Sequence, residues 1–467
     1  MSVPTNPSAA AQLVRALQEV SRLDPFALHD ARTAAKLCIL DTVACGMHGA
    51  LTEEGEAAFQ AVSAVYGPGD ATVWGRRARL PAPAAALLNG TAAHARELDD
   101  VHPAIIHPGS VVIPAVLSVA EREGSPGPDV LDAVITGYEA MVRIAEAADF
   151  LDHRRRGWHG TSTLGPFAAA AAASRLLGLG EQETVWALGL AGTRTGGTWA
   201  FAADGAMSKR LHPGAAARDG VLAAYLAKAG FTGPSYVLDA DDGGFLPLTA
   251  SSWDAGRLAA PVSPETLAVL ETEYKFFASC KSVHSPAEAA LTLRAEGLRS
   301  SDVAEIFVEV NDSAMRMAGR AGMPETIAAA QLSIAYGVAV ALLHGRADVA
   351  VYTPAMLQDA AVRDLVRRIR VQPSDEMNRL RVEQRLSAAR LTVRLVDGSE
   401  RTAAVQRPKS AQRRGIGAGP AVREKFWALC AAAGVPEGRV EVIWELVMGL
   451  EELKPAAMNQ LYTLLRP

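Results

Sequence analysis

The chain has 467 residues, 49% of them hydrophobic and 21% charged, with 46 Lys and Arg set against 51 Asp and Glu. That length exceeds what one hydrophobic core comfortably fills, so two or more domains are expected, and the apolar content excludes a disordered chain. The basic residues are dispersed and the net charge is −5, which excludes a nucleic-acid footprint and a polyanionic tail.

The opening stretch, MSVPTNPSAAAQL, has no basic region followed by an apolar run, so no signal peptide and a cytoplasmic location are expected. From Ser8 to about Ala260 apolar residues recur at three-four spacing, as in AQLVRALQEV, ARTAAKLCILDTVACGMHGA, PAAALLNGTAAHARELDD and DVLDAVITGYEAMVRIAEAADF. This pattern predicts helices with hardly a strand among them. The alanine-rich run GPFAAAAAASRLLGLG falls short of a membrane span and carries Arg175. Alternation then appears in VAEIFVEVN, Val303 to Asn311, and LTVRLVDGSERTAAVQ reads as a hairpin around its Asp-Gly turn. Helical patterns, PAEAALTLRAEG and QLSIAYGVAVALLHG, lie between them. KSAQRRGIGAGP reads as a basic, glycine-rich linker, and helices return from Val422. The expected fold is mainly α: a large helical domain, residues 1–264 and 408–467, with a smaller α/β domain, residues 265–407, inserted into it.

Four cysteines, Cys38, Cys45, Cys280 and Cys430, form no CxxC pair, which argues against a zinc ribbon or iron–sulfur cluster and for a reducing compartment. The densest chemistry lies in ELDDVHPAIIHPGS, where Glu97, Asp99, Asp100, His102 and His107 fall within fourteen residues. His102 and His107 flank a proline and share no helix face, and nothing like HExxH accompanies them, so no metal site is expected there. The stretches HPGS, WHGTS and LHPGA place His107, His159 and His212 directly before helices rich in small residues. Helix N-termini suit anions, and a histidine stationed there can donate to one or move a proton beside it. Any one of the three is explained as well by a cap or a core position; three together favour a shared anionic ligand. Lys209, close to His212, would suit an anion clamp or proton donor, although most lysines are simply solvated. In EYKFFASCKSVHSPAEAAL, the residues Lys275, Cys280, Lys281 and His284 form a further cluster, followed by a Ser-Pro helix start. A Cys–His nucleophile is one reading of it, but no oxyanion motif accompanies the pair and a core cysteine fits Cys280 better.

NGTAAHARELDDVH, HPGSVVIPAVL, GYEAMVRI, WHGTSTLGPFAAAAAASRLLGL, SKRLHPGAAARDGVLAAYLAKAGFTGP and KFFASCKSVHSPAEA together resemble the MmgE/PrpD family, in order and spacing, from about Ala34 to the last helices. The family includes 2-methylcitrate dehydratases, cis-aconitate decarboxylases and iminodisuccinate epimerases. The resemblance implies a homodimer with a site between the two domains, a small carboxylate substrate, and no metal or cofactor. By the same likeness His107, His159, Lys209, Lys275 and Tyr336 take the catalytic positions. Glu97, Asp99, Asp100, His212, Cys280, Lys281 and His284 are expected around the substrate. Glu97 stands where decarboxylases carry an aspartate, Val101 where they carry a threonine, and Cys280 where they carry a histidine. His284 fits a bacterial branch whose Tyr-Pro-Cys-Cys is here Phe-Ala-Ser-Cys. These departures point to a dehydratase of a hydroxylated di- or tricarboxylate first. An epimerase of the iminodisuccinate type comes next, then a cis-aconitate-type decarboxylase or a non-catalytic anion-binding scaffold.

Overall fold

The structure, a computed structural model, describes residues 7–20, 22–409 and 414–467. The reading of the amino terminus rests partly on residues 1–6, and that of the basic linker partly on residues 410–413; both stretches lie outside the described residues.

The first part of the chain is a stack of helices: α1 (Ala9–Val20), α2 (His29–Gly49), α3 (Glu53–Val65), α4 (Ala82–His94), α5 (Gly109–Glu123), α6 (Gly127–Ala147), α7 (Phe150–Arg155), α8 (Gly160–Leu176), α9 (Glu181–Gly192), α10 (Ser208–Lys228) and α11 (Phe245–Thr249). Two two-residue strands, β1 (Ala71–Thr72) and β2 (Arg79–Leu80), make the one small ribbon described among them. Helix α10 packs against α8 and α4, α8 against α5 and α6, and α2 against α4. Small residues let these axes close in. Where α4 meets α10, a Cβ on Gly214 would lie 2.1 Å from the Leu87 carbonyl oxygen, and one on Gly90 would lie 2.8 Å from the Gly214 Cα. Helical structure is sparser after Lys228 than the periodicity suggests. Between residues 229 and 280 the chain forms turns, short 3-10 segments and α11, because the run DADDGG offers turn chemistry rather than a continuous apolar stripe.

The second part holds α12 (Lys281–Ala295), β3 (Val303–Val310), α13 (Asp312–Ala318), α14 (Ile327–Ala330), α15 (Ile334–His344), α16 (Pro354–Gln358), α17 (Ala360–Arg367), β4 (Ile369–Pro373), α18 (Asp375–Gln384), β5 (Ala389–Leu395) and β6 (Glu400–Val405). The sheet order is β4-β3-β5-β6. The expected strand and hairpin are both present, with β5 antiparallel to β6 and Gly398 at φ 85° in the turn. Strand β4 runs parallel to β3, with Ile306 opposite Ile369. It escaped the sequence reading because IRVQP is a short edge strand, mostly exposed, charged at Arg370 and closed by Pro373. Helix α12 covers β5 and β6 and packs on α15. The chain ends in α19 (Gly419–Ala432), α20 (Glu437–Met448) and α21 (Pro455–Leu464); α19 and α20 lie against α2, and α21 against α5. The described part of the glycine-rich linker is a 3-10 turn, Gly415–Ala418, running into α19, so proline at the first turn starts a helix there. The fold is mainly α. Among the described residues no single helix is long and apolar enough to cross a membrane.

Candidate active site

The loop between α4 and α5 carries the acids, and its backbone is bent to present them. Glu97 has φ 53° and Ile105 φ 63°, left-handed values that non-glycine residues, a β-branched one above all, adopt at a cost. Val101 pairs with Glu273 through two backbone hydrogen bonds of 2.8 and 2.9 Å, which fixes the loop against the segment leading into α12. The result is a carboxylate cluster that is entirely buried: Glu97, Asp99 and Asp100 have no exposed surface.

Three cations meet those acids. Lys209 and Arg210, from the first turn of α10, both donate to Oε1 of Glu97. Lys275 lies 3.4 Å from Oε2 of Glu97 and 3.7 Å from Oδ1 of Asp99. These cations hold the Glu97 carboxyl well below the ordinary carboxylate range, although burial pushes the other way. Burial is also the larger influence opposing ionisation of Asp99, which nevertheless stays ionised through His94, His107 and Lys275. Asp100 has no cation beside it among the described residues, and burial with Asp41 and Asp99 nearby pushes its carboxyl up to about 7. Oδ1 accepts from the Gly109 N–H at 2.9 Å, and Tyr138 donates to Oδ2 at 2.5 Å. While Asp100 keeps its proton, Lys209, Arg210 and Lys275 against Glu97 and Asp99 leave one unit of positive charge in this buried cluster.

Burial keeps the imidazoles neutral. Burial takes His107 and His159 well below the ordinary histidine range, with Lys275 adding to the effect at His107 and Lys209 at His159. His107 Nδ1 is 2.7 Å from the Asp100 carbonyl oxygen, which only accepts, so Nδ1 carries the proton and Nε2 keeps a free lone pair. His94, buried at the end of α4, donates from Nδ1 to Asp99 at 2.8 Å and stands edge-on to His107 at 4.9 Å. His159 Nδ1 is 2.9 Å from His212 Nδ1, so one of the two rings donates to the other. Trp199 and Phe201 close over His159 at 5.3 and 5.7 Å, and Lys209 lies 5.9 Å from both rings.

A cavity of about 60 Å³ opens onto this group, lined among others by Glu97, His102, His107, His159, Lys209, Cys280, Lys281 and Arg381. Six of the expected residues therefore line one space contributed by both parts of the chain. Asp99, Asp100, Lys275 and His212 stand behind that lining. Two expected residues are not brought to it. Tyr336 points into the core around α15, where its hydroxyl donates to the Val351 carbonyl at 2.7 Å. His284 lines a separate cavity of about 700 Å³ with Phe276, Phe277, Glu288 and Lys409, and its Nε2 lies 3.3 Å from the Ser279 carbonyl oxygen.

The helix starts also need correction. His159 does cap α8, and His107 sits just ahead of α5, but His212 lies inside α10 and His284 inside α12. His-Pro and Ser-Pro look like first-turn signals, yet Pro213 and Pro286 come one turn further in, each removing only a single intrahelical hydrogen bond. The shift brings Lys209 and Arg210 into the first turn of α10. His94 and Arg210 were missed from sequence, although both lie within the stretches that carried the signal. Arg210 is 1% exposed and also donates to Gln331 at 2.7 Å, a partner from the second part of the chain that no local pattern reveals. His94, Asp99 and His107 each place one potential ligand atom within 4.8 Å of the others, a spacing that a divalent cation accepts. The Lys275 ammonium at 3.7 Å competes for the same carboxylate, and both Nδ1 atoms already donate within the protein.

Comparison with known proteins gives the family. Residues 18–255 match the MmgE/PrpD N-terminal domain and residues 277–452 the MmgE/PrpD C-terminal domain. A cis-aconitate decarboxylase of Aspergillus terreus is 31% identical over 450 residues, covering 91% of this chain and 90% of the relative. A cis-aconitate decarboxylase-like protein of Aspergillus oryzae is also 31% identical, over 90% of each chain. The human cis-aconitate decarboxylase is 34% identical over 56% of this chain and 54% of its own. The chain belongs to the MmgE/PrpD family, whose relatives here are lyases.

Proposed function

We propose that the chain is a cofactor-independent lyase that takes a proton from the carbon next to a carboxylate of a di- or tricarboxylate and expels a hydroxyl group as water. The observation that carries this reading is the meeting of a neutral imidazole, its lone pair free at Nε2 of His107, with a buried cluster bearing one excess positive charge. A base beside uncompensated cations is what enolate chemistry needs, because charge builds on the carboxylate as the proton leaves. His107 Nε2 would accept the proton, held in its tautomer by the Asp100 carbonyl. Lys209 would face the developing enediolate directly, with Lys275 acting from behind Glu97. When His212 donates to His159, the Nε2–H of His159 is left to protonate the departing hydroxyl; Lys209 is the other donor in reach of the cavity.

Decarboxylation is the second reading, favoured by the activity named for the relatives. In that reaction carbon dioxide leaves first and the same cations hold the resulting charge, so a proton donor matters more than a base. Cys280 lines the cavity at the position where, by family likeness, decarboxylases carry a histidine, and this supports dehydration over decarboxylation. A panel of 2-methylcitrate, citrate, malate-type acids, cis-aconitate and iminodisuccinate, run in deuterated water, separates the possibilities. Dehydration gives new alkene absorbance, decarboxylation releases carbon dioxide from cis-aconitate, and epimerisation brings deuterium into recovered substrate. Absence of both alkene formation and carbon dioxide release would overturn the lyase reading. The cavity is also well below the roughly 300 Å³ at which small-molecule pockets begin, so substrate entry requires the two parts of the chain to move apart locally.

A further inference from the structure

We propose that His102, Lys281 and Arg381 form a second anion subsite that binds a distal carboxylate of the substrate, so that the enzyme selects acids with a carboxylate at each end. The inference rests on the lyase reading of the same cavity and adds the part of the substrate that does not react.

The starting point is His102. It is 4% exposed, lines the cavity, and its Nε2 is buried with no hydrogen-bond partner among the described residues. Its Nδ1 accepts from the Ala104 N–H at 3.2 Å, so the neutral ring carries its proton on Nε2. Burial next to Lys281 and Arg414 takes the ring down to about 3, which keeps it neutral at any ordinary pH. A buried N–H donor without an acceptor costs free energy unless a ligand completes it. The turn that holds it is tight: His102 and Ile106 bridge across Ile105, whose φ is 63°.

The surroundings of that donor are basic. Lys281 opens α12, a helix of fifteen residues, and its ammonium pairs with Glu273, which also takes Arg414 at 3.0 Å. Arg414 has a further acid in Glu271 at 2.7 Å. Arg381, on α18, lines the cavity, donates to the Arg385 carbonyl at 3.2 Å and makes no ion pair with a described residue. Lys281 and Arg381 thus line the same cavity as His102, while Glu97 occupies Lys209, Arg210 and Lys275 in the cluster near His107. An acid with carboxylates at both ends matches that distribution; a monocarboxylate leaves one end unsatisfied. Loss of a hydrogen bond to a charged group costs about tenfold or more in affinity.

The test compares two unreactive probes by calorimetry on the full chain: glutarate, and butyrate, which is the same skeleton with one terminal carboxylate replaced by hydrogen. The wild type is expected to bind the dicarboxylate about tenfold tighter. Arg381→Gln and His102→Leu should collapse that preference to about threefold or less while butyrate binding stays constant. His102→Leu also disturbs the turn, so Arg381→Gln, which touches neither the turn nor His107, decides the matter if the first variant melts early. No preference in the wild type, or an unchanged preference in Arg381→Gln, overturns the subsite. Turnover of the substrate panel by the wild type is scored separately. Discrimination between the probes without turnover keeps the subsite and removes the lyase reading, and turnover without discrimination does the reverse.

Discussion

At the scale of single residues, Glu97 holds the candidate site together. It neutralises charge on three cations while its own backbone is held at positive φ. Glu97→Gln should therefore be costly, because it leaves buried cations without their counter-ion; a loss of about 3–5 kcal/mol is expected from chemical denaturation. His107→Ala removes no ion pair of comparable strength and should leave the fold near its original stability. Its turnover should fall at least about a hundredfold, and an unchanged rate would remove His107 from the chemistry. Because burial already keeps His107 and His159 neutral, kcat/KM should lack an acidic limb near pH 6.5, where an ordinary histidine would protonate. A limb at that pH would mean that the rings are more solvated than the structure shows. The sequence revealed the titratable residues at this scale, since HPG, WHG and SKR are compact and conspicuous. It could not reveal Gln331 or Arg381, which are ordinary polar residues made significant by contacts from distant parts of the chain.

At the scale of elements, the site depends on a helix far along the chain. Lys425 of α19 is buried and donates to Asp41 of α2 at 2.6 Å and to the Leu98 carbonyl, between the two acids of the active loop. Helix α19 is in this way fastened directly behind Glu97 and Asp99. Lys425→Ala leaves Asp41 buried without a cation and should cost about 3–5 kcal/mol, whereas Lys425→Met combined with Asp41→Leu should recover most of that loss. A repacked double variant that regains stability but not turnover would show that the link to Leu98 orients the loop. Recovery of both would reduce the pair to packing. The periodicity of the helices and the Asp-Gly hairpin were legible because each is a local pattern. Strand β4 and the interior positions of His212 and His284 were not, since an edge strand is short and polar and a proline one turn into a helix looks the same as one at its start.

At the scale of the whole molecule, the buried imidazoles set the response to acid. Burial takes His102 and His284 to about 3, and His153 and His212 to about 4, against 6.5 or so in an unfolded chain. Between those values the unfolded state binds protons that the folded state refuses, so stability is lost as pH falls from about 6.5 towards 4. Asp100 acts in the opposite sense. Its carboxyl, raised to about 7, lets the folded state hold a proton that the unfolded state has released, a contribution lost as pH rises from about 4 to 7. Burial also lowers His48, His94, His107 and His159, and raises Asp41 and Glu121 alongside Asp100, so the lowered histidines outnumber the raised carboxyls. The melting temperature at pH 5 should therefore lie roughly 5 °C or more below that at pH 7.5. His153 offers the cleanest dissection, since it contacts Thr163 and Phe150 and is not among the residues lining the cavity. His153→Gln should flatten the acid slope without altering the pH profile of turnover. A slope left intact in that variant would assign the acid sensitivity to the site itself, where the same protons that unfold the protein would also silence its base.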